Sequence, residues 1–126
     1  MNVLISMQIP EGYRLFEFVD PFEDLVGPLC FKVGNDGELR FAFEARSQHA
    51  NTSGQIHGGM LMTFADFALC LTAIHGLPGE RCVTVSLNCE FTAPGEVGSA
   101  LRAPLAALLL LLLLLLLLGL PVGRRL

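Results

Sequence analysis

The chain has 126 residues, which is enough for one domain. Its net charge is −4, and the first hundred residues carry all twelve acidic residues but only five of the eight basic ones. A nucleic-acid-binding surface needs clustered lysine and arginine, so this acidic body argues against nucleic acid as a partner.

The four cysteines are Cys30, Cys70, Cys82 and Cys89. They form no CxxC pair and show no Cys–His spacing typical of zinc, so we expect no metal site. Buried cysteines behave as small hydrophobes, and we expect reduced thiols in a cytoplasmic protein. The first twelve residues lack the basic and apolar regions of a signal peptide.

Two strands are predicted early in the chain, near 29–33 and 38–46. Asn35-Asp36-Gly37 lies between them and is a strong turn signal. Before them, residues 11–28 mix aromatic and acidic side chains between prolines, which favours short helical or extended pieces. The second run alternates, and its apolar members are Leu39, Phe41 and Phe43.

A buried helix is predicted over 57–75, after a polar loop at 47–56. The run has no internal proline and no cluster of β-branched residues, and Gly76 and Pro78 follow it as a stop signal. Its apolar residues occur all round the helix rather than in one stripe, so most of its sides must be covered. A sheet wrapped around the helix would do that, which predicts an α+β fold.

The segment 82–91 alternates cleanly between apolar and polar residues, and this predicts a half-buried strand. A turn at 93–95 follows, and 96–103 is expected to begin a further strand that Pro104 ends or moves to a sheet edge. The residues of 82–91 expected to point towards the core are Val83, Val85, Leu87, Cys89 and Phe91.

The tail 105–126 differs in composition from the rest, so we expect a domain at 1–104 followed by a low-complexity, leucine-rich segment. Its uncharged part, 105–122, contains eleven consecutive leucines and would be ~27 Å long as a helix. The favoured interpretation is an out-of-frame or low-complexity repeat that replaces the native end, because a homopolymer carries no packing pattern. A membrane anchor through 105–122 and a helix that caps the core are the alternatives.

Asp66 is the only formally charged residue between Arg46 and Glu80, and it lies on the apolar run of the predicted helix. A carboxylate in such surroundings is costly to bury without a partner, and groups of that kind cluster at functional sites. It could act as a general base on water or as a nucleophile. The plainer interpretation is a buried aspartate that hydrogen-bonds a neighbouring strand.

Gly58 and Gly59 open the same helix, where the first N–H groups have no partner within the helix. The helix dipole adds partial positive charge there, so a carbonyl oxygen on the Gly58 N–H would be polarised. The plainer interpretation is a tight turn from loop to helix.

Gly58 and Asp66 lie ~12 Å apart along a helix, whereas reacting atoms must approach to about 3.5 Å. If both serve one reaction, a two-fold dimer must bring Gly58 of one copy to Asp66 of the other.

Asn51 and His57 flank the start of the helix. An asparagine amide can donate to a carbonyl or hold a water, and His57 could orient the loop or act as a base. His49 and His75 are expected at the surface or at a helix end. A metal site built from His49, His57 and Asp66 is not favoured, because the chain has no helical i,i+4 ligand pair. A serine triad is not favoured either, because no nucleophile elbow is present.

The segments HANTSGQIHGGMLMTFADFA (49–68) and VTVSLNCEFTAPGEVG (83–98) resemble hotdog-fold acyl-CoA thioesterases of the PaaI-like group. The resemblance covers roughly residues 25–103. It implies a curved antiparallel sheet wrapped around one long central helix, in a homodimer or homotetramer. It also implies hydrolysis of acyl-CoA to free acid and CoA with no metal and no organic cofactor. Family members continue with further strands where this chain has leucines, so we expect a fold that is incomplete at its C-terminus.

By the same resemblance, Gly58 is the oxyanion donor and Asp66 activates water or attacks the thioester. Asn51 positions the substrate or a water, Thr84 supplies a hydroxyl near the carboxylate, and His57 has a supporting role. The site forms across the dimer in this family, which agrees with the distance between Gly58 and Asp66.

The substrate is expected to contact the glycine pair and the apolar side chains of the helix. We assign Gly59, Met62 and Phe67 to substrate binding, and Met60 and Phe64 are further candidates for the pocket wall. Three other functions stay open: a non-catalytic acyl-CoA-binding or damaged hotdog paralogue, a hotdog hydratase, and a membrane-anchored protein.

Overall fold

A computed structural model of the chain describes residues 9–16 and 20–104. The described part combines a four-stranded antiparallel sheet, in the order β1-β2-β3-β4, with one long helix, which confirms the α+β class. Its elements in chain order are β1 (Arg14–Leu15), α1 (Pro21–Val26), β2 (Leu29–Val33), β3 (Leu39–Glu44), a 3₁₀ helix (Ser47–His49), α2 (Gly58–Ile74) and β4 (Ala100–Pro104).

The predicted hairpin between β2 and β3 is confirmed, with the second strand slightly shorter than expected. Phe31 pairs with Phe41 in its centre. At the turn, the Gly34 N–H donates to the Glu38 carbonyl at 2.8 Å, and Gly37 has φ +78°. Glycine adopts such a positive φ without steric cost, so the Asn35-Asp36-Gly37 signal acts through its last residue.

The long helix α2 begins and ends within one residue of its predicted bounds. His57 is its N-cap and His75 its C-cap, so both lie just outside Gly58–Ile74. Gly76 follows with φ +77°, the left-handed conformation that commonly ends helices. The stop signal in the sequence therefore acts where it was expected.

The core lies between α2 and one face of the sheet. The Phe41 and Phe67 rings meet edge to face with centroids 5.9 Å apart, and the Phe43 and Phe64 centroids are 4.8 Å apart. The buried residues of α2 are Met60, Phe64, Phe67, Ala68 and Leu71. Their spacing of three and four residues marks a single stripe. The expectation that α2 is buried on most sides is thus wrong for one copy of the described chain, because its sheet covers only that stripe.

The segment 82–91 is not a strand, and the prediction of a half-buried strand there is wrong for the single chain. Val83 and Val85 were expected to face the core, yet they are 84% and 86% exposed. Thr84 faces α2 instead, through a hydrogen bond to Asp66. In the described sheet β3 pairs with β2 and β4, and 82–91 pairs with no strand, so its alternating side chains have no sheet face to follow.

The final predicted strand forms as β4, which begins at Ala100, and Pro104 is its last residue. β4 lies at the edge of the sheet, where the missing N–H of proline is tolerated. Within residues 9–16 and 20–104, no helix has the length and apolar character needed to cross a membrane. The leucine-rich tail at 105–126, with its alternative interpretations, lies outside the described residues.

Replacing Phe41 by alanine should lower the free energy of unfolding by about 3–5 kcal/mol, because its fully buried ring fills the space between sheet and helix. Urea denaturation followed by circular dichroism measures the change. Leu25→Ala is the control, because Leu25 is 74% exposed and its loss should change stability by less than about 0.5 kcal/mol. Equal losses for the two variants would contradict this description of the core.

Candidate active site

The start of α2 leaves one backbone donor free. The Gly59 N–H donates to His57 Nδ1 at 2.9 Å, and the Met60 N–H donates to the His57 carbonyl at 2.9 Å. The Gly58 N–H has no acceptor among the described residues. His57 therefore caps the helix with an unprotonated Nδ1, and Gly58 is the donor that remains available to an external oxygen.

Asn51 shapes the loop that precedes this helix start. Its Oδ1 accepts from the Ser53 N–H at 2.9 Å and from the Gln55 N–H at 3.1 Å. The side-chain oxygen is thus engaged within the loop, whereas the Nδ2 amide has no acceptor in the described part of the chain. Asn51 is consequently set up to donate rather than to accept.

Gly58 and Asn51 border one cavity of about 500 Å³. The Phe91 ring lies over Gly58, and a methyl group added at Gly58 would approach that ring to 3.0 Å. A side chain at this position would press on Phe91, so glycine lets that ring lie close to the backbone. The free Gly58 N–H, the free Asn51 amide and the Phe91 ring therefore all border the same cavity.

Asp66 lies eight residues further along α2 and is half-buried rather than buried. Thr84 Oγ1 donates a hydrogen bond to Asp66 Oδ1, and the Cys70 Sγ lies 3.4 Å from the same hydroxyl. Asp66 Oδ2 has no hydrogen-bond partner among the described residues. One carboxylate oxygen is therefore held by Thr84, while the other is open to a water or a substrate.

The cavity beside Asp66 differs from the cavity beside Gly58. It measures about 350 Å³ and is also bordered by Glu23, Met62 and Leu87. No residue borders both cavities. Within one copy of the described chain, Gly58 and Asp66 thus open into separate volumes, as their spacing along the helix requires.

A third cavity, of about 510 Å³, adjoins the one beside Asp66, and the two share Asp20 and Glu23. Phe67 borders this larger cavity, whereas Met60 and Phe64 belong to the core. Its apolar lining consists of Phe16, Phe67, Leu71 and Ile74. It offers an apolar volume next to the carboxylate.

The predicted binding residues thus lie in three different places. Met62 borders the cavity of Asp66, and Phe67 borders the larger apolar cavity. Gly59 is exposed and its N–H is taken by His57. Gly59 therefore helps to shape the helix start rather than to line a cavity.

Glu23 is a residue of this site that no sequence motif indicates directly. Burial, followed by the negative charges of Asp20, Asp66 and Asp24, raises the pKa of Glu23 to about 7 from its ordinary value of 4.5. The sequence does contain a signal for its helix: Asp20 caps α1, Pro21 begins it and Glu23 is an acidic residue of its first turn. Nothing in that signal shows that α1 packs beside Asp66.

Cys70 and His49 are two further groups near the site that could react. Burial raises the pKa of the Cys70 thiol to about 12, so this thiol stays protonated at neutral pH and is a poor nucleophile. His49 was expected at the surface or at a helix end; it is the last residue of the 3₁₀ helix, as the second alternative predicts, but it is only 4% exposed, so the surface alternative is wrong. Its Nδ1 accepts from the Arg46 N–H, and its Nε2 bonds the Val26 carbonyl at 2.6 Å. His49 is a structural link between the loop and α1, and His75 is exposed as expected.

Comparison with known proteins identifies the family. Residues 53–106 match the model of the thioesterase superfamily. The chain is 33% identical over 97 residues to "Putative esterase PA0474" of Pseudomonas aeruginosa, an alignment that covers 76% of this chain and 72% of that protein. It is also 33% identical over 95 residues to "MIOREX complex component 3" of Saccharomyces cerevisiae, covering 71% of this chain but 35% of that protein.

A shorter match agrees with these two. The chain is 32% identical over 66 residues to "Uncharacterized protein, mitochondrial" of Candida albicans, covering 52% of this chain and 30% of that protein. The chain therefore spans about a third of either fungal relative but most of the bacterial one. The identity to the bacterial relative and its coverage, together with the family model that matches 53–106, show that the chain belongs to the thioesterase superfamily and has its hotdog fold.

Proposed function

We propose that this protein hydrolyses acyl-CoA thioesters to the free acid and CoA in a homodimer. Membership of the thioesterase superfamily supports hydrolysis of a thioester or ester bond. The observation that carries the proposed site is the Asp66 carboxylate, which Thr84 holds by one oxygen beside a cavity while its other oxygen stays open. A carboxylate held in this way is suited to take a proton from water.

The reaction begins when the thioester carbonyl docks on the Gly58 N–H. Partial positive charge at the start of α2 stabilises the oxyanion that forms when water attacks the carbonyl carbon. Asn51 donates its free amide to the carbonyl or to the water, and His57 keeps the helix start in place by capping Gly59. Asp66 accepts the proton of the attacking water, and the C–S bond then breaks.

A second copy supplies the other half of each site. Gly58 and Asp66 lie ~12 Å apart along one helix, so the Asp66 of one copy serves the Gly58 of the other. The exposed valines of 82–91 support this arrangement, because an alternating segment with apolar side chains in solvent is suited to be covered by a partner. A tetramer and a cytoplasmic location stay predictions.

Replacing Asp66 by asparagine should reduce kcat by at least about 100-fold with the fold intact, because the amide cannot accept a proton from water. Thiol release from several acyl-CoAs measures the rate, with the four cysteines of the chain subtracted as background, and circular dichroism checks the fold. Glu38→Gln, at the exposed β2–β3 turn, is the matched control and should stay fully active. Hydrolysis by Asp66→Asn at near the native rate would mean that the proposed base is wrong.

Mixing two inactive variants tests the shared site. Gly58→Pro removes the free N–H while keeping a residue that is tolerated at the first helical position. A heterodimer of Gly58→Pro and Asp66→Asn contains one site in which both groups are native. Random assortment puts about half the chains in such heterodimers, so the mixture should recover about a quarter of native activity. If the mixture stays as inactive as its two components, the two groups do not act across a dimer.

A further inference from the structure

We propose that Glu23 is the acid of this reaction: its carboxyl group protonates the sulfur of the departing thiol in the cavity that it shares with Asp66. The inference rests on the proposed function, since it assigns the second proton transfer of the same hydrolysis. It concerns a residue of the short helix α1, outside both segments that carry the family resemblance.

The position of Glu23 supports this role. Glu23 borders the cavity of Asp66 and also the larger apolar cavity beside Phe67 and Leu71. It therefore lies where the volume next to the proposed base meets a volume able to take an apolar group. A thioester whose carbonyl carbon lies near Asp66 places its sulfur within one bond of that carbon, and hence within the same small cavity.

The charges around Glu23 favour its neutral form. Three aspartates act on Glu23: Asp20, which caps α1, Asp24 within α1, and Asp66 on α2. Their negative charges oppose ionisation of the Glu23 carboxyl group. Arg46 borders a neighbouring cavity with Glu23, but its guanidinium donates to the Gly27 carbonyl at 2.9 Å. Within the described residues, no cation forms an ion pair with the Glu23 carboxylate.

The other ionisable side chains near Glu23 border the larger apolar cavity. They are Glu80, Arg81 and the thiols of Cys70 and Cys82. Burial and the three carboxylates together keep a proton on Glu23 up to about pH 7, where its pKa lies. Two carboxyl groups that border one cavity can divide the roles of base and acid between them, and the group that holds its proton supplies the acid.

The proton balance of the step is complete. Water forms a bond to the carbonyl carbon and gives one proton to Asp66. As the C–S bond breaks, the sulfur takes the bonding electron pair and the proton of Glu23, and leaves as a thiol. The proton held by Asp66 then passes to the Glu23 carboxylate, which restores both groups. A free cysteine thiol has a pKa of about 8.5 and a simple alkyl thiol is a weaker acid still, so proton transfer to an alkyl thiolate from Glu23, with its pKa of about 7, is favourable.

The test compares two thioesters of the same acyl group: the CoA thioester and an ester of nitrothiophenol, whose thiolate leaves without a proton. Glu23→Gln should lower kcat for the CoA thioester by about 100-fold, the effect typical of a lost general acid. It should leave kcat for the aryl thioester nearly unchanged. Equal losses on both substrates, or no loss on either, would overturn the assignment of Glu23.

The outcomes separate the two proposals. If the native protein hydrolyses neither thioester, or if Asp66→Asn remains fully active, the proposed function or its base fails before Glu23 is tested. If the native protein is active and Asp66→Asn is not, the role of Glu23 is decided by comparing the loss of kcat in Glu23→Gln on the CoA thioester with its loss on the aryl thioester.

The pH profile of the native protein is a further test. Its rate on the CoA thioester should fall above about pH 7 while its rate on the aryl thioester does not. Parallel pH profiles would count against the proposal.

Stability against pH gives a readout that needs no activity. In the unfolded chain Glu23 ionises near its ordinary pKa of 4.5, whereas in the folded chain its pKa is about 7. The unfolded chain therefore binds fewer protons between these values, and stability falls as pH rises through this window. Urea unfolding at several pH values should show this decline in the native protein and a weaker one in Glu23→Gln. Identical slopes would show that Glu23 does not keep its proton in the fold.

Discussion

The hydrogen bond between Thr84 and Asp66 links the two parts of the protein on which the proposed site depends. It joins α2 to a segment that forms no strand pairs in the described chain, and it does so across 18 residues of sequence. The bond also fixes the orientation of the carboxylate, because it occupies Oδ1 and leaves Oδ2 free. Two further contacts join the segment 82–91 to α2: the Cys70 Sγ lies 3.4 Å from the Thr84 hydroxyl, and the Phe91 ring lies over Gly58.

Helix α2 combines two kinds of surface. One stripe fills the core against β3, and the opposite side carries the half-buried Asp66 and the cavities around it. A carboxylate can remain on so apolar a helix because its position between core and solvent lets Thr84 and water satisfy it. Glu23 of α1 borders the same cavity as Asp66, and burial, followed by the charges of Asp20, Asp66 and Asp24, raises the pKa of this second carboxyl group.

Sequence patterns predicted correctly the secondary-structure elements that depend on residues close together in the chain, namely the β2–β3 hairpin and α2. The hairpin of β2 and β3 followed from Asn35-Asp36-Gly37, and the bounds of α2 followed from its apolar run and Gly76. The strand at 82–91 was predicted wrongly, because a period of two shows which residues share a face but not whether an edge is available beside them. The period also failed to show that Thr84, rather than the valines, would face the helix.

The candidate site was predictable only in part for a similar reason. Asp66 and Gly58 stood out because a charge and bare glycines are unusual in an apolar run, and the free N–H of Gly58 agrees with that interpretation. Glu23 could not be found in this way, because burial raises its pKa most, followed by the charges of Asp20, Asp66 and Asp24, and neither the burial nor the nearness of Asp66 shows in the local sequence. The buried link made by His49 likewise depends on a carbonyl 23 residues away.

The most direct measurement is a crystal structure of the protein with a non-hydrolysable acyl-CoA analogue bound. The analogue's carbonyl oxygen should lie within about 3 Å of the Gly58 nitrogen of one copy. The carboxylate nearest the carbonyl carbon should be the Asp66 of the other copy, at hydrogen-bond distance from a water. An analogue bound away from Gly58, or one approached by no Asp66 carboxylate, would show that these two groups do not form one site across a dimer.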